Sequence, residues 1–265
     1  MATSVKVGTS GYVYDHWKGA FYPEDLPKTR WFAHYADRFA TVEINNTYYK
    51  LATEKAVARW KDAAPPGFTY VFKAHRYITH YRRLARPEEP LERYFGALRP
   101  LREITECILF QLPGHVPRDD ERLRQFLRKL PDGWRAAFEF RHRSWFDGDV
   151  LDILGEHGAA FCIHDWPESR PVPAEATASL VYVRFHGVEH AYRGLYGPER
   201  LAPWLERIRR WRKGRHDVLV YFNNDERAFA ARDAAWLAAT LEGRDVELPA
   251  INAGTVPPRR ERAPR

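Results

Sequence analysis

The chain has 265 residues, of which 45% are hydrophobic and 14% aromatic; this is enough apolar material for one large core and excludes a disordered chain. α/β barrels of about 250 residues fold as one unit, so a single domain over residues 1–254 is expected, followed by a Pro- and Arg-rich tail over 255–265. A formal net charge of +7 favours anionic partners, and the chain holds no apolar run long enough to span a bilayer.

The opening residues pass from Met-Ala-Thr-Ser into a strand-like run without the basic and apolar regions of a secretory leader, so a cytoplasmic location is expected. Short β-branched or aromatic runs follow at 5–9, 41–45, 69–73, 107–111, 136–141, 159–165, 180–186 and 217–223. Helical periodicity fills most of the gaps, at 28–39, 55–64, within 91–104, and at 121–130, 150–157, 198–213 and 230–241. Pro198 suits a first helical turn, and Gly158 sits where a helix cap belongs. Between the sixth and seventh strands no helical pattern is found. Cys107 and Cys162 lie inside apolar runs and are expected to be reduced core residues. Strands joined by connections long enough for helices pair in parallel, and eight such units close most simply into a (β/α)8 TIM-barrel-like domain, with the seventh and neighbouring units irregular. An open doubly wound sheet is the alternative.

In such barrels the reactive groups sit at the C-terminal ends of the strands. Here those ends are polar: Glu43 and Asn45, Lys73, Gln111, Glu139 and Arg141, His164 and Asp165, Arg184 and His186, then Asn223, Asn224 and Asp225. Alternation along each strand turns Val42, Ile44, Phe138, Phe140, Val183 and Phe185 toward the helices and their polar neighbours inward, onto one mouth. Charged groups at strand ends can equally be solvated or form structural ion pairs. Their joint occurrence favours a ligand site, because unpaired buried charge is costly.

The residues also resemble a known family. Gly8-Thr-Ser-Gly-Tyr12 with Trp17, Gly19 and Phe21-Tyr-Pro23, then Thr41-Val-Glu-Ile-Asn45 with Tyr48-Tyr49, are similar to the opening of the YecE-like proteins (domain of unknown function 72). Ile78-Thr-His80, Leu109-Phe-Gln-Leu-Pro113, Glu139-Phe-Arg-His142, Ser144-Trp-Phe146, Arg184-Phe-His-Gly187 and Phe222-Asn-Asn-Asp225 continue the resemblance in order. It implies a TIM-barrel fold and no agreed activity; fold alone does not establish chemistry. Tyr12 stands where the family motif has Trp, which keeps an aromatic wall and changes its width.

The reading that follows is an enzyme acting on an anionic, phosphate-bearing substrate such as a nucleotide, nucleic acid or sugar phosphate. Its expected catalytic groups are Glu43, Glu139, Asp165 and His186, working by carboxylate acid/base chemistry of the hydrolase or lyase kind. Ser10, Tyr12, Asn45, Lys73, His80, Gln111, Arg141, Trp145, Arg184, Asn223 and Asn224 are the expected substrate contacts. No cofactor is expected; a divalent metal is an open alternative on Glu43, Glu139, Asp165 and His186, although no dense ligand spacing supports it. A two-carboxylate glycosidase with Trp17 and Trp145 as sugar platforms is a second alternative. A third is a binding module for single-stranded nucleic acid or a nucleotide, because basic and aromatic residues interleave at 75–86 and 190–196. If Glu139 serves chemistry, Glu139→Gln should leave melting little changed, whereas Phe138→Ala or Phe140→Ala should cost about 3–5 kcal/mol. The sequence carries no signal of oligomeric state.

Overall fold

The computed structural model describes residues 3–169, 171–188 and 190–244. The expected tail at 255–265 and residues 245–254 of the expected domain lie outside them. Strand and helix alternate in the order β1 (Val5–Thr9), α1 (Trp31–Ala36), β2 (Thr41–Ile44), α2 (Asn46–Tyr49), α3 (Glu54–Ala63), β3 (Thr69–Lys73) and α4 (Glu88–Leu98). There follow β4 (Thr105–Leu112), α5 (Asp120–Leu127), β5 (Ala136–Phe140), α6 (Gly148–Glu156), β6 (Ala160–His164), β7 (Leu180–Phe185), α7 (Gly197–Lys213), β8 (Asp217–Phe222) and α8 (Phe229–Leu241).

Each strand from β2 to β8 pairs in parallel with the next, and β8 pairs with β1. The ring closes between β1 and β2 through an isolated bridge of Ser10 with Glu43 and a 2.8 Å bond from the Gly11 N–H to the Glu43 carbonyl. This is the (β/α)8 barrel that the alternation of elements implies. At the seam the backbones run close: a Cβ on Gly8 would stand 2.4 Å from the Thr41 carbonyl oxygen, so only glycine fits there.

Period-two alternation sorts the strand side chains into two cores. Val42, Ile44, Phe138, Phe140, Val183 and Phe185 face the helices and are buried there. Inside the barrel Val71, Leu109, Cys107, Cys162, Leu180 and Leu219 pack with Tyr182 and Tyr221, and Ala137 and Ala160 leave room for the two tyrosines. Both thiols are free and buried, as their apolar runs predict. An ion network plugs the N-terminal end: Lys6 Nζ lies 2.7 Å from Glu106 Oε1, and Arg135 reaches both Glu106 and Asp217.

The helices begin on side-chain caps where the sequence supplies one. Thr53, Asp119 and Asp147 accept backbone N–H bonds at the starts of α3, α5 and α6. The expected helix at 28–39 splits into a 3-10 turn, Lys28–Arg30, and α1. That within 91–104 is α4 followed by a 3-10 turn, Arg99–Ile104, whose Pro100 carries no N–H to continue the α pattern. Four-residue α2 is too short to display periodicity and was not expected. Between β6 and β7, among the described residues, the chain makes a single 3-10 turn, Pro167–Ser169, in place of a helix. No helix among the described residues is long and apolar enough to cross a membrane.

Candidate functional site

The inward-facing residues at the C-terminal ends of β2, β5 and β7 meet on one guanidinium. Arg184, 1% exposed, donates from Nη2 to Glu43 Oε1 at 2.6 Å and from Nη1 to Glu139 Oε2. Neither glutamate is exposed to solvent. Glu43 also accepts from Ser10 Oγ and, at 2.6 Å, from the Tyr182 hydroxyl; Asn45 Nδ2 donates to the same Ser10 oxygen at 2.9 Å. Glu139 Oε1 accepts from Arg141 Nε at 2.9 Å. His186 Nε2 stands 3.5 Å from that oxygen, at the limit of hydrogen-bond length. The Asn223 amide lies 3.3 Å from His186 Nδ1, which assigns the ring proton to Nε2, on the Glu139 side.

Burial and pairing oppose each other in this lower tier. Burial alone would raise the Glu139 pKa, but the Arg184 and Arg141 guanidiniums outweigh it and hold the carboxyl well below its ordinary range. Arg184 is the mirror case: burial disfavours its charge, and Glu139 with Glu43 more than restores it. Burial pushes His186 well below the usual histidine range, so the ring is neutral at pH 7 despite Glu139. His164 is lowered by burial too; its Nδ1 accepts the Trp166 N–H and its Nε2 donates to the Phe140 carbonyl at 2.8 Å.

Above this tier lie the half-buried groups. Arg141 reaches up from Glu139 and lays its guanidinium 3.7 Å from the centre of the Trp166 ring. Lys73, the last residue of β3, holds its amine 4.6 Å over the Tyr48 ring. Burial and the nearby Arg184 charge bring that amine down to about 7. His80, on a π-helical turn at Tyr77–Tyr81, packs edge-on against Tyr48; burial and Lys73 lower it to about 4. Counting Arg184, Arg141 and Lys73 against Glu43 and Glu139, the mouth carries one surplus positive charge whenever Lys73 is protonated. Within the lower tier Asn45 Oδ1, Arg184 Nε and His186 Nε2 are buried with no hydrogen bond made among the described residues.

A family model described as "Protein of unknown function DUF72" matches residues 6–259. The chain belongs to the DUF72 family. It is 25% identical to the UPF0759 protein YunF of Bacillus subtilis over 273 residues, covering 90% of this chain and 95% of the relative. To YecE of Escherichia coli K12 it is 27% identical over 202 residues, 67% of this chain and 73% of the relative. Among solved structures, the DUF72 protein TM1631 of Thermotoga maritima superposes with a TM-score of 0.83 at 28% identity, over 90% of this chain and 99% of that one. The DUF72 protein EF0366 of Enterococcus faecalis shares the fold, with a TM-score of 0.75 at 23% identity over 91% and 98% of the two chains.

Within this DUF72 barrel, Glu43, Asn45, Ser10, Glu139, Arg141, Arg184, His186 and Asn223 form one bonded or touching cluster, and Lys73 and His80 share the Tyr48 ring. Gln111 is buried beside Glu139 in the strand register. Four expected site residues lie elsewhere. Trp145 is 2% exposed, stacked on Phe140 at 4.3 Å and bonded to the Val116 carbonyl, because the turn after β5 folds it back over the helix-facing core. Tyr12 turns its ring outward against Phe32 and Tyr35. Asn224 follows the outward side of the alternation and ties Gly194 and Asp233 together. Asp165 accepts the His186 N–H at 2.6 Å and the Tyr196 hydroxyl, so it pins the start of the loop after β7. Trp17, a proposed sugar platform, is wholly buried.

Four residues of the site went unrecognised in the sequence. Tyr182 is two positions before Arg184 and shares its inward row, so strict alternation pointed to it. Tyr14, whose hydroxyl donates to the Ser10 carbonyl at 2.6 Å, and the ring partner Trp166 sit on loops, and the ring partner Tyr48 on the four-residue α2, where no periodicity operates. For the metal alternative the donor set does not fit: Arg184 lies between Glu43 and Glu139, Asp165 faces the next loop, and among the described residues no three His, Cys, Asp or Glu come together as ligands.

Proposed function

We propose that this barrel is an enzyme whose mouth binds an anionic, phosphate-bearing substrate and performs acid/base chemistry on it. The observation that carries this is the placement of two partly accessible basic side chains, Arg141 and Lys73, over a buried ion network. Glu43 and Glu139 have every oxygen engaged by Arg184, Arg141, Ser10 or Tyr182, so they fix the guanidiniums and leave little lone-pair capacity for a proton in flight. Arg141 and Lys73 are the cations with partial access to solvent, and Arg184 Nε and His186 Nε2 remain buried without a made bond. An anion entering between them would gain charge-assisted bonds at little cost in reorganisation. The proton-handling role then falls to Lys73, which titrates near neutrality, with the carboxylates setting the field around it.

Calorimetric titration at low salt with inorganic phosphate, a nucleoside monophosphate and an oligothymidylate tests the reading. Binding of at least one, weakened about tenfold by Arg141→Gln (about 1.4 kcal/mol), is expected; no binding of any of the three overturns it.

A binding module for single-stranded nucleic acid is favoured by a separate observation. Tyr81 is 65% exposed, Tyr49 58% and Tyr77 39%, and Arg76 and Arg82 lie over the Tyr81 and Tyr77 rings. Exposed aromatic faces backed by guanidiniums suit stacked bases. Oligothymidylate binding that Tyr81→Ala abolishes and Arg141→Gln leaves intact would select this reading over the first.

A further inference from the structure

Lys73 differs from the other mouth cations in having no anionic partner. Among the described residues it makes no ion pair, because the two nearest glutamates are already held by Arg184 and Arg141. Its stem rises from the inward row of β3, next above Val71, and its amine sits over Tyr48 with part of the residue open to solvent. The strand end is fixed from below: the Lys73 carbonyl accepts from Thr47 Oγ1 at 2.8 Å and from the Tyr94 hydroxyl at 3.1 Å. The amine is therefore anchored at its base, free at its tip and beside Arg141.

We propose that Lys73 is a nucleophile that condenses with the carbonyl carbon of a phosphate-bearing aldehyde or ketone whose anionic group is held by Arg141. This rests on the anion-binding reading given above. In the step, the Nζ lone pair forms a C–N bond while the carbonyl π pair moves to oxygen, giving a carbinolamine. Loss of that oxygen as water, carrying both amine hydrogens, leaves the imine, and no oxidant or reductant is needed. The reaction requires an unprotonated amine at neutral pH.

The surroundings supply that condition. Burial first, then Arg184 of β7 and Arg141 just past the end of β5, disfavour the ammonium, and together they outweigh Glu139 of β5 and Glu43 of β2. The Tyr48 ring of α2 favours the cation but is neutral, and His80 of the π-helical turn is itself kept neutral. A lysine held this way is suited to Schiff-base chemistry, whereas an exposed lysine is almost wholly protonated at pH 7.

The test uses pyridoxal 5′-phosphate, an aldehyde carrying a phosphate, with cyanoborohydride to reduce any imine to a stable secondary amine. At pH 7 and one equivalent of aldehyde, peptide mass mapping should place most of the adduct on Lys73. Pyridoxal, which lacks the phosphate, should label Lys73 at least tenfold less. Lys73→Arg, which removes the nucleophilic amine, should lose that adduct. Label spread over exposed lysines with Lys73 spared overturns the proposal, and equal labelling by the two aldehydes overturns the anionic substrate. Phosphate binding without Lys73 labelling sinks only the imine; absent phosphate binding sinks the anion-binding reading beneath it.

Discussion

Glu139 is the residue at which sequence and structure disagree most usefully. Read as a strand-end acid it should be dispensable for stability. The structure instead makes it the shared anchor of Arg184 and Arg141, fully buried, so that removing its charge strands a guanidinium in the barrel. Glu139→Gln is therefore expected to cost about 3–5 kcal/mol, the range for breaking a buried pair from one side, and so to match Phe138→Ala. Urea unfolding midpoints of the two variants check this, and a Glu139→Gln variant that melts like the parent would return Glu139 to a chemical role. Lys73 should behave in the opposite way. Its unpaired, partly buried amine is suboptimal for the fold, so Lys73→Met is expected to raise stability at pH 7 by about 1–2 kcal/mol while weakening phosphate binding. The gain should shrink from pH 7 toward pH 10.5: the lowered pKa means that the unfolded chain binds the proton over that interval and the folded one does not, so the parent's own stability rises with pH there.

At the scale of elements, the seam between β1 and β2 is the point of least tolerance. Seven strand pairs share ladders, that of β3 and β4 with a register shift at Tyr70 and Val71, whereas β1 and β2 are joined by the Ser10–Glu43 bridge, and Gly8 lies against the Thr41 carbonyl just below it. Adding one methyl at Gly8 forces the seam apart and with it the Ser10 and Glu43 side chains that complete the network. Gly8→Ala is expected to destabilise by about 1–3 kcal/mol, as overpacking does, and to weaken phosphate binding although residue 8 bears no polar side chain. A variant that loses stability with unchanged phosphate affinity would uncouple the seam from the mouth. The loop elements carry what the strands do not: α2 and the π-helical turn bring Tyr48 and His80 over Lys73, and the turn after β6 brings Trp166 under Arg141.

For the molecule as a whole, acid is the expected weakness. His34, His75, His80, His164 and His186 are all lowered, each with burial as its first cause. A group whose folded pKa is depressed takes up its proton more readily when unfolded, so stability is present above the ordinary histidine value and is lost as pH falls below it. A buried histidine that stays neutral to pH 5 contributes about 2 kcal/mol over that interval. Thermal melts should therefore drop steadily from pH 7.5 to pH 5, before the ordinary carboxylate range is reached. Glu139, held ionised well below that range, should keep the ion network intact throughout, and His186→Asn should flatten the profile. A melt independent of pH across this interval would show that the lowered histidines are solvated.

The sequence by itself determined the barrel and the inward row of polar strand ends. Both rest on period-two alternation and on crossover length, which are local, repeated and redundant along the chain. Thus Phe138 and Phe140 faced the helices, and Glu43, Glu139 and Arg184 faced one another, as the alternation required. What tertiary structure alone decided was pairing and access. Whether a strand-end carboxylate is a free acid or a guanidinium anchor depends on which side chain arrives from a strand 45 or 141 residues away in sequence, and no period encodes that. Trp145 and Tyr12 were misplaced for the same reason: they follow strand ends, where the chain leaves the alternation and its direction is set by the core it happens to meet, whereas Asn224 keeps the alternation and is turned outward by it.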